Sequence, residues 1–146
     1  MLLHDARARE AIVRRLEALK PDSERRWGRM RADQMLHHMN VNLEMALGRV
    51  SPARRDSLFK RTVFKFVAFR APWPKGKAPT APELVAADTY DFEKERTQLK
   101  LLLEEVGARS LQADWPPHPA FGPLSGREWS RLEYRHFQHH LEQFGV

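Results

Sequence analysis

Residues 125–145 read SGREWSRLEYRHFQHHLEQFG, and this stretch decides the fold. Ser125 followed three residues later by Glu128 is a capping box: the serine oxygen accepts a backbone N–H of the first turn, and the glutamate reaches back to the cap's own N–H. At about 100° per residue, with Trp129 at zero, Phe137, Leu141 and Phe144 fall between roughly 60° and 120°. Arg131, Arg135, Gln138 and Glu142 gather at roughly 180–240°, a solvent face. The stretch is therefore an amphipathic helix ending near Phe144, before Gly145.

The same wheel places His136 and His140 within about 20° of Trp129, one turn apart on the inward side, with His139 nearer the edge. Two imidazoles at H-x-x-x-H spacing reach a common ion at about 2.0–2.1 Å. They equally suit hydrogen-bonded core positions, and three buried imidazoles without partners are costly, since each has two ring nitrogens to satisfy.

Working back along the chain, residues 32–47 give a second helix with Met35, Leu36, Met39, Leu43, Ala46 and Leu47 on its apolar stripe and Gly48 as its stop. His37 is expected to face water. His38 lies at the shoulder of the stripe beside Asn42, which makes it the candidate third inward imidazole.

Residues 5–20 repeat Ala8, Ile12, Val13, Leu16 and Leu19 at helical spacing, and Pro21 closes that helix. Asp91 is expected to cap a helix over 92–106, with Phe92, Leu99, Leu102, Leu103 and Val106 inward and Gly107 as its end. In between, Ser51-Pro52 reads as the start of a shorter helix over 52–70, although Val63 to Val67 could also alternate as a strand. Prolines at 72, 74, 79 and 82 make 71–88 a loop, and Trp115 to Pro119 a second one. Four long helices, a possible extra short helix and no firm strand predict an all-α four-helix bundle.

The chain has 146 residues, 42% of them hydrophobic and 30% charged, which suits one folded domain spanning 1–146. It has no cysteine, which excludes disulfides, thiolate zinc sites, iron–sulfur clusters and a cysteine nucleophile. Any metal must take nitrogen and oxygen donors. No apolar run approaches the roughly 18 residues of a membrane span, and MLLHDARARE lacks a signal-peptide core, so a cytoplasmic protein with no membrane partner is expected.

The net charge of +6 is uneven: residues 1–80 hold 18 Lys and Arg against 8 acids, and 81–146 hold 7 against 11. Lys60, Arg61, Lys65 and Arg70 interleave with Phe64 and Phe66, a pattern open to nucleic acid. The scatter of the charges and the expectation that those aromatics are core argue against that partner.

These stretches carry a resemblance. W-G-R-M at 27–30, D-Q-M-L-H-H at 33–38, A-L-G at 46–48, P-K-G at 74–76, H-P-A-F-G-P-L-S-G-R-E-W at 118–129 and H-F-Q-H-H-L-E-Q-F-G at 136–145 resemble the DinB-like (DinB/YfiT-like) superfamily of metal-binding helical bundles. They look closest to a branch of small bacterial proteins. The resemblance implies a four-helix bundle and a divalent transition metal, often zinc or nickel, on His38, His136 and His140. Arg31 departs from it, standing where similar sequences put a Thr or Ser cap.

Relatives include thiol-dependent transferases and isomerases that use low-molecular-weight thiols, hydrolase-like proteins, and scaffolds without metal; many form homodimers. The resemblance thus implies a metal-dependent enzyme with a small-molecule substrate, thiol-transferase-like or hydrolase-like. The alternative is a non-enzymatic metal-binding or interaction protein. Glu133, one turn before His136, is a candidate general base or hydrogen-bonding support, or else a buried acid paired with Arg or Tyr. Gln143 and Asn42 are candidates to orient the imidazoles. His118 is expected to lock its loop by a hydrogen bond.

Overall fold

The computed structural model describes residues 1–53, 56–76 and 86–146. Among these there is no strand, only an isolated bridge between His118 and Gly122, and the chain is an all-α bundle. Its helices are α1 (Ala6–Ala18), α2 (Ala32–Ala46), a π-helical turn (Lys60–Phe64) that runs directly into α3 (Lys65–Arg70), α4 (Phe92–Ala108) and α5 (Gly126–Gln143).

The four long helices form because their stripes meet. Ile12 and Leu16 from α1, Leu36, Met39 and Leu43 from α2, Leu99 and Leu103 from α4, and Phe137 and Leu141 from α5 are buried in one apolar cluster. Each such side chain contributes roughly 1.5–3 kcal/mol on burial, far more than any single helix propensity. A second cluster, with Met45, Phe121, Leu124, Trp129 and Leu132, joins one end of the bundle to the 118–124 loop, and Phe64, Phe69 and Trp73 pack on it.

The helix ends follow local chemistry. Ser125 accepts from the Glu128 N–H while Glu128 returns to the Ser125 N–H, the expected capping box. Asp91 accepts from the Lys94 N–H at 3.0 Å. Arg31 has no acceptor to offer at the start of α2, so Gln34 covers half of the missing cap by accepting from the Arg31 N–H at 3.0 Å, and the Arg31 guanidinium grips Asp33 instead.

Several expectations need correction. Gly107 does not end α4, which runs on to Ala108. A Cβ at Gly107 would sit 2.7 Å from the Arg9 guanidinium, so the glycine makes room for Arg9 rather than stopping the helix. Ser51-Pro52 does not open the short helix; the helix begins only after Ser57, whose Oγ accepts from the Lys60 N–H at 3.3 Å. The 63–67 segment is helical and not a strand, and Phe66, expected in the core, is 62% exposed while Phe64 packs inward. Pro79 and Pro82, read as loop, lie outside the described residues.

Candidate metal centre

α2 and α5 pack beside one another and bring three imidazoles together. His136 Nε2 lies 3.1 Å from His38 Nε2 and 3.0 Å from His140 Nε2, and one donor nitrogen from each ring falls within 4.8 Å of the others. Donors at the corners of a tetrahedron around a metal 2.0–2.1 Å away are separated by about 3.3–3.4 Å. The two separations from His136 are only a few tenths of an ångström shorter than that.

The tautomers decide what these contacts are. Gln143 Nε2 donates to the Trp27 carbonyl at 2.8 Å, which orients its amide and turns Oε1 towards His140 Nδ1, also at 2.8 Å. An amide oxygen only accepts, so His140 carries its proton on Nδ1 and presents a lone pair at Nε2. His136 Nε2 faces both neighbours and can satisfy at most one of them with a proton. Lone pairs converging at this distance suit a cation. Burial lowers His136 to about 4 and holds His140 well below the ordinary imidazole value, with neighbouring imidazoles adding to the effect on His140. At neutral pH His136 and His140 are therefore uncharged, the state a metal requires.

The supporting residues fall as follows. Asn42 is buried, not solvent-exposed; its Nδ2 donates to the His38 carbonyl at 2.8 Å and lies 3.4–3.5 Å from the ring nitrogens. Glu133 is 1% exposed, and among the described residues neither Arg nor Tyr pairs with it. Its Oε2 has no hydrogen-bond partner and stands 3.7 Å from His136 Nδ1. Burial raises this carboxyl to about 8, against a smaller opposing pull from His38.

His37 is not out in water: its ring stacks on Tyr90 at 3.8 Å and its Nδ1 meets Glu95 at 3.1 Å, in the seam with α4 and away from the cluster. His118 locks its loop by accepting the Ala120 and Phe121 N–H groups on Nδ1, at 3.1 and 3.2 Å. Burial and the neighbouring His136 lower its pKa to about 3.

Sequence reading missed three elements of the site. His139 lies between two indoles, 5.7 Å from Trp27 and 5.7 Å from Trp73. Trp73 also lies 5.6 Å from His136 and is tied to α3 through Nε1 and the Ala68 carbonyl at 2.7 Å. Gly28, at φ +79°, is required because a Cβ there would come within 2.6 Å of Gln143 Nε2. The W-G pair at 27–28 was the available signal, since an indole beside a glycine marks a close approach. Above the imidazoles opens a cavity of about 630 Å³, whose walls include Trp27, Phe64, Trp73 and Phe121 and whose floor holds Glu133.

Fold and site together define a class: an all-α bundle with three buried histidines, contributed by two helices, that can hold a metal ion. The chain belongs to the family described as "protein of unknown function (DUF1569)", which matches residues 4–145. No curated protein and no solved structure matches it.

Proposed function

We propose that this chain is a metal-dependent enzyme of the DinB-like type, holding one divalent transition ion, zinc or nickel, on His38, His136 and His140. It acts on a small molecule, in thiol-transferase-like or hydrolase-like chemistry. The observation that carries this reading is the convergence of three buried imidazoles at the base of a cavity large enough for a substrate. A purely structural zinc site is ordinarily closed by four protein ligands, and here the described residues offer three. When bound, such an ion supplies Lewis acidity at a position left for substrate or water.

The remaining roles belong to the chain. Gln143 holds His140 in the Nδ1–H tautomer, and Gly28 lets Gln143 lie close enough to do so. Glu133 faces His136 Nδ1 and is the one carboxyl among the described residues that line the cavity, placed to accept that ring's proton or to hold one during reaction. Trp73, over His136 and His139, keeps bulk water from one side of the cluster.

The test is elemental analysis of protein purified without added metal or a histidine tag, followed by a screen with small thiols and activated esters. About one zinc or nickel per chain with turnover in that screen supports the reading. A chain that carries no metal and takes up none overturns it. Metal without turnover would leave a metal-binding protein and remove the enzyme.

A further inference from the structure

The walls of the cavity above the histidines are aromatic on two sides. Trp27 and Trp73 flank His139, and Phe64 and Phe121 lie 5.7 Å apart. Such faces favour flat rings in offset or edge contact, and about 630 Å³ falls inside the roughly 300–1,000 Å³ of small-molecule sites.

The charges are unequal as well. Among the described residues that line the cavity, Glu133 is the only acid, and it is buried at the floor. Arg29 and Lys60 also line it, and Arg29 is exposed, with no ion-pair partner among the described residues. Lys75 sits 4.5 Å over the Trp27 ring but is paired with Glu142 at 2.9 Å, so it adds little net charge beside that wall. A ligand's ammonium group would find no exposed carboxylate among the described lining residues, and burying it unpaired is costly. A carboxylate or similar anion would meet Arg29.

We propose that this cavity takes small molecules with an aromatic body and an anionic group, and rejects the equivalent cations. The inference rests on the proposed metal reading only for what grips the head of the ligand; the walls and the rim act with or without an ion. It also narrows the substrate class, since a peptide-like thiol carrying a free ammonium suits these walls poorly.

The experiment is calorimetric titration of the full chain, as purified and after loading with zinc, with biphenyl-4-carboxylate, 4-phenylbenzylamine and butanoate as probes. The expected result is that the aromatic acid binds at least about tenfold more tightly than the amine or the short acid. Trp73→Ala should weaken the aromatic acid by about tenfold and leave butanoate unchanged. Arg29→Gln, at an exposed position with little bearing on folding, should narrow the gap between acid and amine by about threefold to fivefold.

Equal affinities for acid and amine, no binding of the aromatic acid in either state, or an acid–amine gap indifferent to Arg29→Gln overturns the proposal. A preserved preference that zinc does not strengthen supports this cavity assignment and counts against the metal reading. Zinc uptake without any preference does the reverse.

Discussion

A single residue can be asked whether it belongs to the centre. His38→Ala, His136→Ala and His140→Ala are each expected to abolish stoichiometric metal binding, measured by elemental analysis after gel filtration. His37→Ala, one position away on α2, is expected to retain the metal, because its ring is committed to Tyr90 and Glu95. Equal loss from His37→Ala would show the wrong member of the pair to be the ligand. Glu133→Gln keeps the shape of the carboxyl but removes its ability to ionise. If Glu133 supports His136 through Nδ1, the variant should lower metal affinity by about 10–100-fold, read by competition with a chromogenic chelator. An unchanged affinity would make Glu133 a bystander to binding. Among the positions missed in the sequence, Gly28 is the most exacting. An alanine there must hold a left-handed φ, at about 1–2 kcal/mol, and also displace Gln143 from the Trp27 carbonyl.

At the scale of an element, α5 carries two of the three imidazoles, and its start is fixed twice over. The capping box at Ser125 satisfies backbone groups that would otherwise be orphaned, so Ser125→Ala should cost about 1 kcal/mol in urea unfolding. Gly126 has a different reason. A Cβ there would fall 2.4 Å from the Leu111 carbonyl oxygen, which is backbone and cannot swing aside. Gly126→Ala is therefore expected to destabilise the fold by more than the cap variant does, although alanine is the better helix former. A neutral Gly126→Ala would mean that the loop before α5 can move away freely. The π-helical turn at Lys60–Phe64 is the other informative element, because it lies in the segment that lines the cavity. Its extra residue per turn directs Phe64 inward while Phe66 stays out.

The whole molecule should report the centre through its stability. Without metal, His118 and His136 titrate at about 3 and about 4 in the folded chain, below the ordinary imidazole value near 6.5. The unfolded chain therefore takes up protons first as pH falls, and each group removes up to about 1.4 kcal/mol per pH unit below about 6.5. Their contribution is full above that pH and is lost as pH falls, through about 4 for His136 and about 3 for His118. Glu133 runs the other way: held at about 8, its contribution is present below the ordinary carboxyl value and lost as pH rises through 8. The imidazoles outnumber it, so the metal-free chain is expected to lose stability between pH 6.5 and 4.5. Denaturant midpoints across that range test this, and a rising midpoint would contradict the buried neutral rings. Adding metal should stabilise by about 2.7 kcal/mol when free metal is 100 times its dissociation constant. Chelation should then lower the melting temperature at pH 7.5, and do much less only as the pH approaches about 4, where protons begin to compete with a metal for His136. An unchanged melting temperature at pH 7.5, in protein shown to contain metal, would rule out a bridge between α2 and α5.

The sequence by itself determined the helices, and with them the shared face of His136 and His140. Both are matters of local periodicity: a stripe at 3.6 residues per turn, a cap at Ser125 or Asp91, and two rings one turn apart are written within some twenty residues. Even the inward placement of His38 rather than His37 was legible, because the apolar stripe of α2 orients the pair. Tertiary structure decided the rest. His38 and His136 are 98 residues apart, and the register that brings their Nε2 atoms to 3.1 Å is set by packing between α2 and α5. The same packing left Glu133 with no Arg or Tyr partner among the described residues, turned His37 into the α4 seam, and made Gly107 a berth for Arg9. Local pattern fixes which face of a helix is apolar; which polar groups meet across that face depends on how the helices slide and rotate against one another, and no stretch of sequence a few turns long encodes that.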